Sequence, residues 1–553
     1  MQKLISKYGL AAHLALLAVA PLFLFPFLTA GAIATAELWL AGFALVWLLM
    51  EPSRRNDEML HDARARVASE MVRDPLFWAL LAAVVFAAVR WANGGVAMAC
   101  DFNEGAPRWF LQPPPCPYLP GGVPGAGYPP FAAALAALVL VEGCGHGLGK
   151  SARISFLFTA STLAGAAAFV AVAVCESGSA AALAEAWCDD MTRASFAGTA
   201  FGLNLLAGVA SLAGVFECRW TRQVLLLVFA VGGNLAGLFF FAPTAVALVW
   251  LAAALVALAV AAAYAAVKLG VSSAAKCLSV LAVVLLVPVL AVMSVYILGE
   301  KADARVASLV RAAQMSPEPA PVVPETPELA RAAMYRAATG RLAPFAGGDL
   351  FPAAYVARRA VLSDVARRVW LERPWLGSGI GAFPLALRFA AQPEDWRTLD
   401  PKADERVFVE ALREGFRDRP EGGAREGLVR FPAEWSGIGA ARAETPFNGW
   451  WRLLAERGIV GSLVLAVVLG FLLFRYARRL AGARGRSVFV PGAAVGVLAL
   501  AALAAEAFMD ASFLRPEVLV AAAAFLSVSA SSFPPARKKA EVPAADGTDG
   551  KNA

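Results

Sequence analysis

Charged residues, cysteine and histidine are all scarce in this sequence. Only 16% of its 553 residues are Asp, Glu, Lys or Arg, whereas 59% are hydrophobic; a soluble globular domain has about 25% charged residues. Seven cysteines without a C-x-x-C pair argue against a disulfide framework or a thiolate metal site, and there are three histidines. Because soluble domains could not bury so much apolar surface, the composition excludes them and predicts a polytopic membrane protein.

Long apolar stretches recur along the chain. A helix needs about 20 apolar residues to cross the hydrocarbon core of a bilayer. The sequence therefore predicts an all-α polytopic membrane protein with about 12 transmembrane helices. They are predicted near 10–29, 31–50, 76–93, 129–148, 154–175, 196–216, 223–241, 244–266, 277–298, 449–474, 488–508 and 516–532.

The basic residues predict the orientation. Lys and Arg cluster in every second connection between apolar stretches, and the positive-inside rule assigns those connections to the cytoplasm. The pattern predicts a multi-pass protein with both termini cytoplasmic and with membrane lipids as its surroundings. It also accounts for the net charge of +7 without nucleic acid as a partner.

One connection is far longer than the rest and divides the chain. Residues 1–298 are predicted to form a transmembrane bundle of about nine helices, and 449–532 to form the last three. Between them, 299–448 is predicted to be a large, partly helical loop domain on the outer side, because long loops usually carry function or their own structure. Residues 533–553 are predicted to be a disordered cytoplasmic tail.

Within the loop, a predicted helix at 355–372 leads into a glycine-rich turn, RPWLGSGIGAF, at 373–383. Such a turn lets the backbone pass close to a ligand or to another helix, and it can present amide groups to an anion. A plain turn is the alternative. The candidate substrate-binding residues here are Arg373, Gly377, Gly379 and Gly381.

A second segment, TPFNGWWRLLAERGIVG at 445–461, re-enters the membrane. Asn448, Arg452 and Glu456 recur at a spacing of four, which places them on one face of a helix, and we take them as candidate substrate-binding residues. The alternative is an interfacial tryptophan belt with charged side chains that reach toward water.

Ionisable residues inside predicted spans are functional candidates by default. Arg90, Glu142 and Glu506 lie within or near spans, and Glu142 is a candidate for a polar network in the core. Glu217 beside Arg219 is better explained as a cytoplasmic boundary cluster.

Taken together and in this order, the two loop segments resemble the O-antigen ligase and O-antigen polymerase superfamily. The resemblance spans about 355–475. It implies a metal-independent membrane glycosyltransferase without a cofactor. Such an enzyme transfers a glycan from a polyprenyl-diphosphate carrier to a lipid or glycan acceptor, at the periplasmic face of a bacterial inner membrane.

The resemblance also implies a loop arginine that contacts the diphosphate of the donor. Counting back from Pro374 gives Arg359, with Arg358 beside it. A guanidinium suits this role because it pairs with phosphate oxygens through two hydrogen bonds. A solvated basic helix face is the alternative for both residues.

The sequence departs from the family pattern at two places. Phe447 stands where the family commonly has histidine, and 241–245 lacks the family's mid-span arginine. Three possibilities stay open: Glu444 acts as the base instead, the donor or acceptor differs, or the chain is a non-catalytic assembly partner. A polysaccharide flippase or transporter is a further alternative, although the spans show no convincing internal repeat.

Overall fold

A computed structural model describes residues 12–19, 30–50, 71–95, 115–116, 118–122, 126–144, 150–177, 191–217, 224–242, 244–269, 353–383, 386, 448–482, 489–508 and 512–530. This part of the chain is almost entirely helical. Its helices are α1 (12–19), α2 (Ala30–Met50), α3 (Pro75–Ala92), α4 (Tyr128–Leu138), α5 (Lys150–Ser177), α6 (Met191–Glu217), α7 (Val224–Phe241), α8 (Thr244–Leu269), α9 (Ala353–Glu372), α10 (Gly449–Gly482), α11 (Phe489–Glu506) and α12 (Pro516–Ala530).

The helices follow the predicted apolar stretches, except for 277–298, which lies outside the described residues. By length and composition, three described stretches can cross a membrane: Pro75–Ala92, Ile154–Ala171 and Gly449–Arg478. Shorter apolar stretches of 10–17 residues lie in α2, α4, α6, α7, α8, α11 and α12. The chain is all-helical in its described part, as the sequence predicts, and these helices indicate a multi-pass membrane protein.

Small residues bring the helices close together. Where α5 meets α7, a Cβ atom added to Gly233 would lie 2.3 Å from the carbonyl oxygen of Gly165. In lipid there is little hydrophobic drive for helices to associate, so close van der Waals packing through small side chains has to hold them. The buried core is correspondingly rich in alanine.

The predicted helix in the outer loop is present as α9. Leu362, Val365, Ala366 and Val369 are buried on one side of it, and Arg367 is exposed on the other. α9 packs against α10, where the rings of Trp370 and Trp451 lie 6.1 Å apart. Most of the predicted loop domain (299–352, 384–385 and 387–447) and the predicted tail at 533–553 lie outside the described residues.

An ion-pair cluster lies at one end of the bundle. Glu142, in a π-helical turn (Val139–Cys144) that continues α4, is fully buried. Arg475 donates to its Oε1 over 2.9 Å and also pairs with Asp74 over 3.2 Å. The polar network predicted around Glu142 is therefore present.

A second buried carboxylate, Glu506, closes α11. It accepts hydrogen bonds from Trp250 Nε1, at 2.8 Å, and from the hydroxyl of Thr199. These contacts join α6, α8 and α11.

The Arg475→Met variant removes the guanidinium between Glu142 and Asp74. We expect the free energy of unfolding to fall by about 3–5 kcal/mol, because the substitution removes the cation that balances the buried carboxylate of Glu142. Thermal unfolding of the purified protein in one detergent measures this. Arg478→Met is the control, since Arg478 is exposed on the same helix; equal stability of the two variants would contradict a stabilising role for the cluster.

Candidate functional site

α10 is broken at Gly458, inside its membrane-spanning stretch. Gly458 has φ 64° and ψ −171°, a conformation outside the helical region and one that L-residues with a side chain rarely adopt. A Cβ atom at this position would lie 2.4 Å from the carbonyl oxygen of Trp375. The break therefore requires glycine, both for its backbone angles and for the close approach of another segment.

The glycine-rich turn (373–383) fills this break. An intact helix would pair the N–H groups of residues 459 and 460 with the carbonyls of residues 455 and 456. Instead, Ile459 donates to the carbonyl of Pro374 at 2.9 Å, and Val460 donates to that of Trp375 at 3.1 Å. Two intrahelical bonds are lost here, and the turn takes up their backbone groups.

The two freed carbonyls are also satisfied by the turn. Ser378 donates its N–H to the carbonyl of Ala455 at 2.8 Å, and Gly379 donates its N–H to that of Glu456 at 3.1 Å. The Ser378 hydroxyl makes a further bond to Ala455, at 2.9 Å. The amides of Ser378 and Gly379 thus bond to protein, and that of Gly377 donates to the carbonyl of Arg373.

Arg90 holds the junction from the neighbouring helix. Its side chain is fully buried near the end of α3, with its guanidinium 4.8 Å from the centre of the Phe86 ring. It donates to the backbone carbonyl of Glu456 at 2.8 Å and to that of Leu376. One cation therefore contacts both the broken helix and the turn.

The connection after α3 braces the turn from the other side. Gly122 forms isolated β-bridges with Gly94 and with Ile380 of the turn. The carboxamide of Asn93 accepts from the N–H of Cys116 at 2.9 Å and donates back to its carbonyl at 2.9 Å. Segments far apart in sequence thus meet at 379–380.

Of the three candidate residues at the start of α10, Arg452 and Glu456 contact each other, as their spacing of four predicts. Arg452 Nε donates to Glu456 Oε1 at 3.2 Å, and the Glu456 side chain is almost fully buried. Asn448 precedes the helix, and its Oδ1 accepts the N–H groups of Trp450 and Trp451. Asn448 is therefore a helix cap.

Positive charge exceeds negative charge around Glu456. Three guanidinium groups, those of Arg90, Arg452 and Arg457, interact electrostatically with one another or with the single carboxylate of Glu456. Glu456 pairs with Arg452, and Arg90 bonds to backbone carbonyls. The Arg457 side chain makes neither a hydrogen bond nor an ion pair with any residue that the structure describes; the residue is partly buried, and its Nε is fully buried.

Arg457 borders an apolar cavity of about 180 Å³ between α3, α4, α10, α11 and α12. Phe86, Val468, Leu503 and Phe513 are among the side chains that line it, and Ile380 of the turn also contributes. Among the described lining residues, Arg457 is the charged one. The indole Nε1 of Trp450, another lining residue, is buried and has no hydrogen-bond partner in the described part of the chain.

The remaining candidates lie beside this centre or outside the described residues. Arg358 and Arg359 are in α9, which leads directly into the turn. Arg373 follows α9 and is exposed; desolvation by neighbouring atoms lowers the pKa of its guanidinium from the usual value, and Glu372 opposes the shift. Gly381 has φ 73° in the turn. Glu444 lies outside the described residues.

The sequence reasoning missed Arg457 and Gly458. The spacing of four that links Asn448, Arg452 and Glu456 passes over both. The available signal was an isolated glycine just after adjacent charges, at a position where a transmembrane helix would otherwise be continuous.

The Gly458→Ala variant tests whether the break holds the turn. Alanine disfavours φ 64° and would collide with the turn, so we expect the free energy of unfolding to fall by about 1–3 kcal/mol. We also expect faster hydrogen exchange in peptides covering 373–383, measured by mass spectrometry, because the turn loses its partners.

Gly470→Ala is the matched control on the same helix, since a Cβ atom there has nothing within 4 Å. It should leave stability and exchange unchanged or slightly improved. Unchanged exchange of the turn in Gly458→Ala would contradict the role given to the break.

Comparison with known proteins adds no family assignment. The chain matches no protein-family model and no curated protein sequence. The resemblance to O-antigen ligases and polymerases therefore rests on the motif residues alone.

Proposed function

We propose that this protein transfers or polymerises a polyprenyl-diphosphate-linked glycan at the outer face of a bacterial inner membrane, in surface polysaccharide biosynthesis. The observation that carries the proposal is the arginine-rich junction of the glycine-rich turn with the broken α10, beside an apolar cavity. The donor of such a reaction has an anionic diphosphate joined to an apolar chain, and the junction offers a complement to both parts.

The contact between the two motif segments supports the proposal. The turn at 373–383 and the helix start at 449–461 carry the family resemblance, and four backbone hydrogen bonds join them directly. Two segments that form a single centre are better candidates for one active site than two separate motifs. α9 with Arg358 and Arg359 ends where the turn begins.

In the proposed reaction, an acceptor hydroxyl attacks the anomeric carbon of the donor sugar. The bond from that carbon to the diphosphate oxygen breaks, and polyprenyl diphosphate leaves. Arg359, with Arg358 beside it, stabilises the charge that develops on the leaving group through charge-assisted hydrogen bonds. Glu444 takes the proton of the acceptor hydroxyl. In the family a histidine is common at the position of Phe447, which cannot act as a base.

The proposed topology, with about 12 crossings and both termini in the cytoplasm, agrees with two groups of contacts. The connection at 93–122 and the turn, both assigned to the outer side by charge, pair at Gly122 and Ile380. Asp74, Glu142 and Arg475, all assigned to the inner side, meet in the ion-pair cluster.

A transporter is the second candidate, because transporters often bind substrates at interrupted helices and α10 is interrupted. In such sites the freed backbone groups face the substrate. Here the carbonyls of Ala455 and Glu456 and the amides of Ile459 and Val460 bond to the turn. This favours a structural break over a transport site.

Deletion in the native host, rescued with the wild-type chain or with Arg359→Ala, tests the proposal. We expect carrier-linked glycan to accumulate after deletion, and Arg359→Ala to lower transfer by about a hundredfold or more while inserting normally. Surface polysaccharide and carrier-linked intermediates are measured together. Full-length chains on the carrier indicate a ligase, and single repeat units indicate a polymerase.

Arg367→Ala is the control, because it removes the same charge from an exposed position of α9. It should rescue fully. Full rescue by Arg359→Ala would exclude its assigned role and favour the alternative of a non-catalytic assembly partner. Unchanged glycans after deletion would exclude transfer altogether.

A further inference from the structure

Two buried hydrogen-bond donors at one cavity lack acceptors in the described part of the chain. They are Nε of Arg457 and Nε1 of Trp450, and both residues line the cavity. Buried donors in folded proteins are nearly always satisfied, so each exception requires a physical reason. The Arg457 side chain is partly buried and makes no described hydrogen bond or ion pair, and an unpaired charge in a membrane-embedded wall is the more costly of the two.

The protein itself does not use Arg457 as it uses the neighbouring arginines. Arg90 is anchored by two backbone carbonyls, and Arg452 is paired with Glu456. With Glu456 already paired, the charges of Arg457 and Arg90 leave this region with positive charge in excess. The ligand that this balance favours is an anion with several acceptor oxygens.

The apolar walls of the cavity indicate that the ligand also has an apolar part. Its described lining is apolar apart from Arg457 and the indole nitrogen of Trp450. A cavity of about 150 Å³ with apolar walls holds a benzene-sized molecule, so a cavity of about 180 Å³ accommodates a short stretch of an apolar chain. An anion that carries no chain would leave this space empty.

We infer that Arg457 and the apolar cavity bind a phosphorylated isoprenoid lipid, with the phosphate on the guanidinium and the first chain carbons between α3, α10, α11 and α12. The identification of the chain as an isoprenoid, and of the lipid as the glycan carrier, rests on the proposed function. The site itself follows from the unpaired donors, the excess charge and the cavity. The indole Nε1 of Trp450 is a second unpaired donor at the same cavity.

Binding of farnesyl diphosphate to the purified full-length protein in nanodiscs, measured by isothermal titration, tests the inference. Farnesol supplies the chain without the charge, and inorganic diphosphate the charge without the chain. We expect farnesyl diphosphate to bind at least tenfold more tightly than either. Arg457→Met should weaken it about tenfold or more, as loss of a charge-assisted contact predicts, and leave farnesol unchanged.

Three control variants distinguish binding in the cavity from general attraction of the lipid to the basic protein surface. Arg478→Met removes an exposed arginine from the same helix and should bind as the wild type does. Arg457→Lys keeps a charge without the guanidinium and should bind with intermediate affinity. Ala504→Leu adds volume to the lining and should weaken farnesyl diphosphate and farnesol alike.

Wild-type affinity of Arg457→Met for farnesyl diphosphate would overturn the inference. So would equal binding of inorganic diphosphate, or equal competition by phosphatidylglycerol, which would indicate a site for bulk membrane lipid. The proposed function fails separately. If binding depends on Arg457 but deletion leaves the glycans unchanged, transfer is excluded and the lipid site stands. If deletion makes carrier-linked glycan accumulate and Arg457→Met rescues fully, transfer stands and the lipid site is excluded.

Discussion

The hydrogen bonds of the α10 backbone are the constraint on which the rest of the site depends. Inside a bilayer each unpaired N–H or C=O group costs several kcal/mol, so a spanning helix can be interrupted only where other protein groups replace its bonds. At Gly458 the replacement is complete for the two bonds that the break removes: the carbonyls of Ala455 and Glu456 and the amides of Ile459 and Val460 all bond to the turn. The shape of the turn is therefore fixed by the helix that it repairs.

This repair brings distant parts of the chain to one place. The turn comes from the long loop, Arg90 from α3, and Gly122 from the connection before α4. None of these contacts is local in sequence. They depend on the turn fitting into the break, which requires the close approach that Gly377 and Gly458 allow. A glycine-rich turn that first suggests an anion-binding loop is thus built mainly to satisfy a helix. The charged side chains beside it, rather than the amides of the turn, are the candidates for binding a substrate.

Much of the fold followed from the sequence, because apolar length and charge alternation are properties of single segments. The helix bounds in the described residues and the Arg452–Glu456 contact both come from local periodicity. The break at Gly458 did not follow, since it depends on a turn more than seventy residues earlier in the chain. Arg457 was missed for the same reason: its lack of a partner is a property of the assembled bundle. For Glu444, which lies outside the described residues, the proposed role still rests on sequence alone.

The two arginines near the break, Arg90 and Arg457, differ in what their side chains contact. The Arg90 guanidinium donates to the backbone carbonyls of Glu456 and Leu376. An apolar side chain of similar size could not make these hydrogen bonds. Arg457, directly before the break, bonds to nothing in the described part of the chain and borders the cavity. The two guanidinium groups repel each other, Glu456 attracts both, and Arg457 also carries the cost of desolvation beside a largely apolar cavity. A cost that the fold itself does not require is best explained by a ligand that removes it.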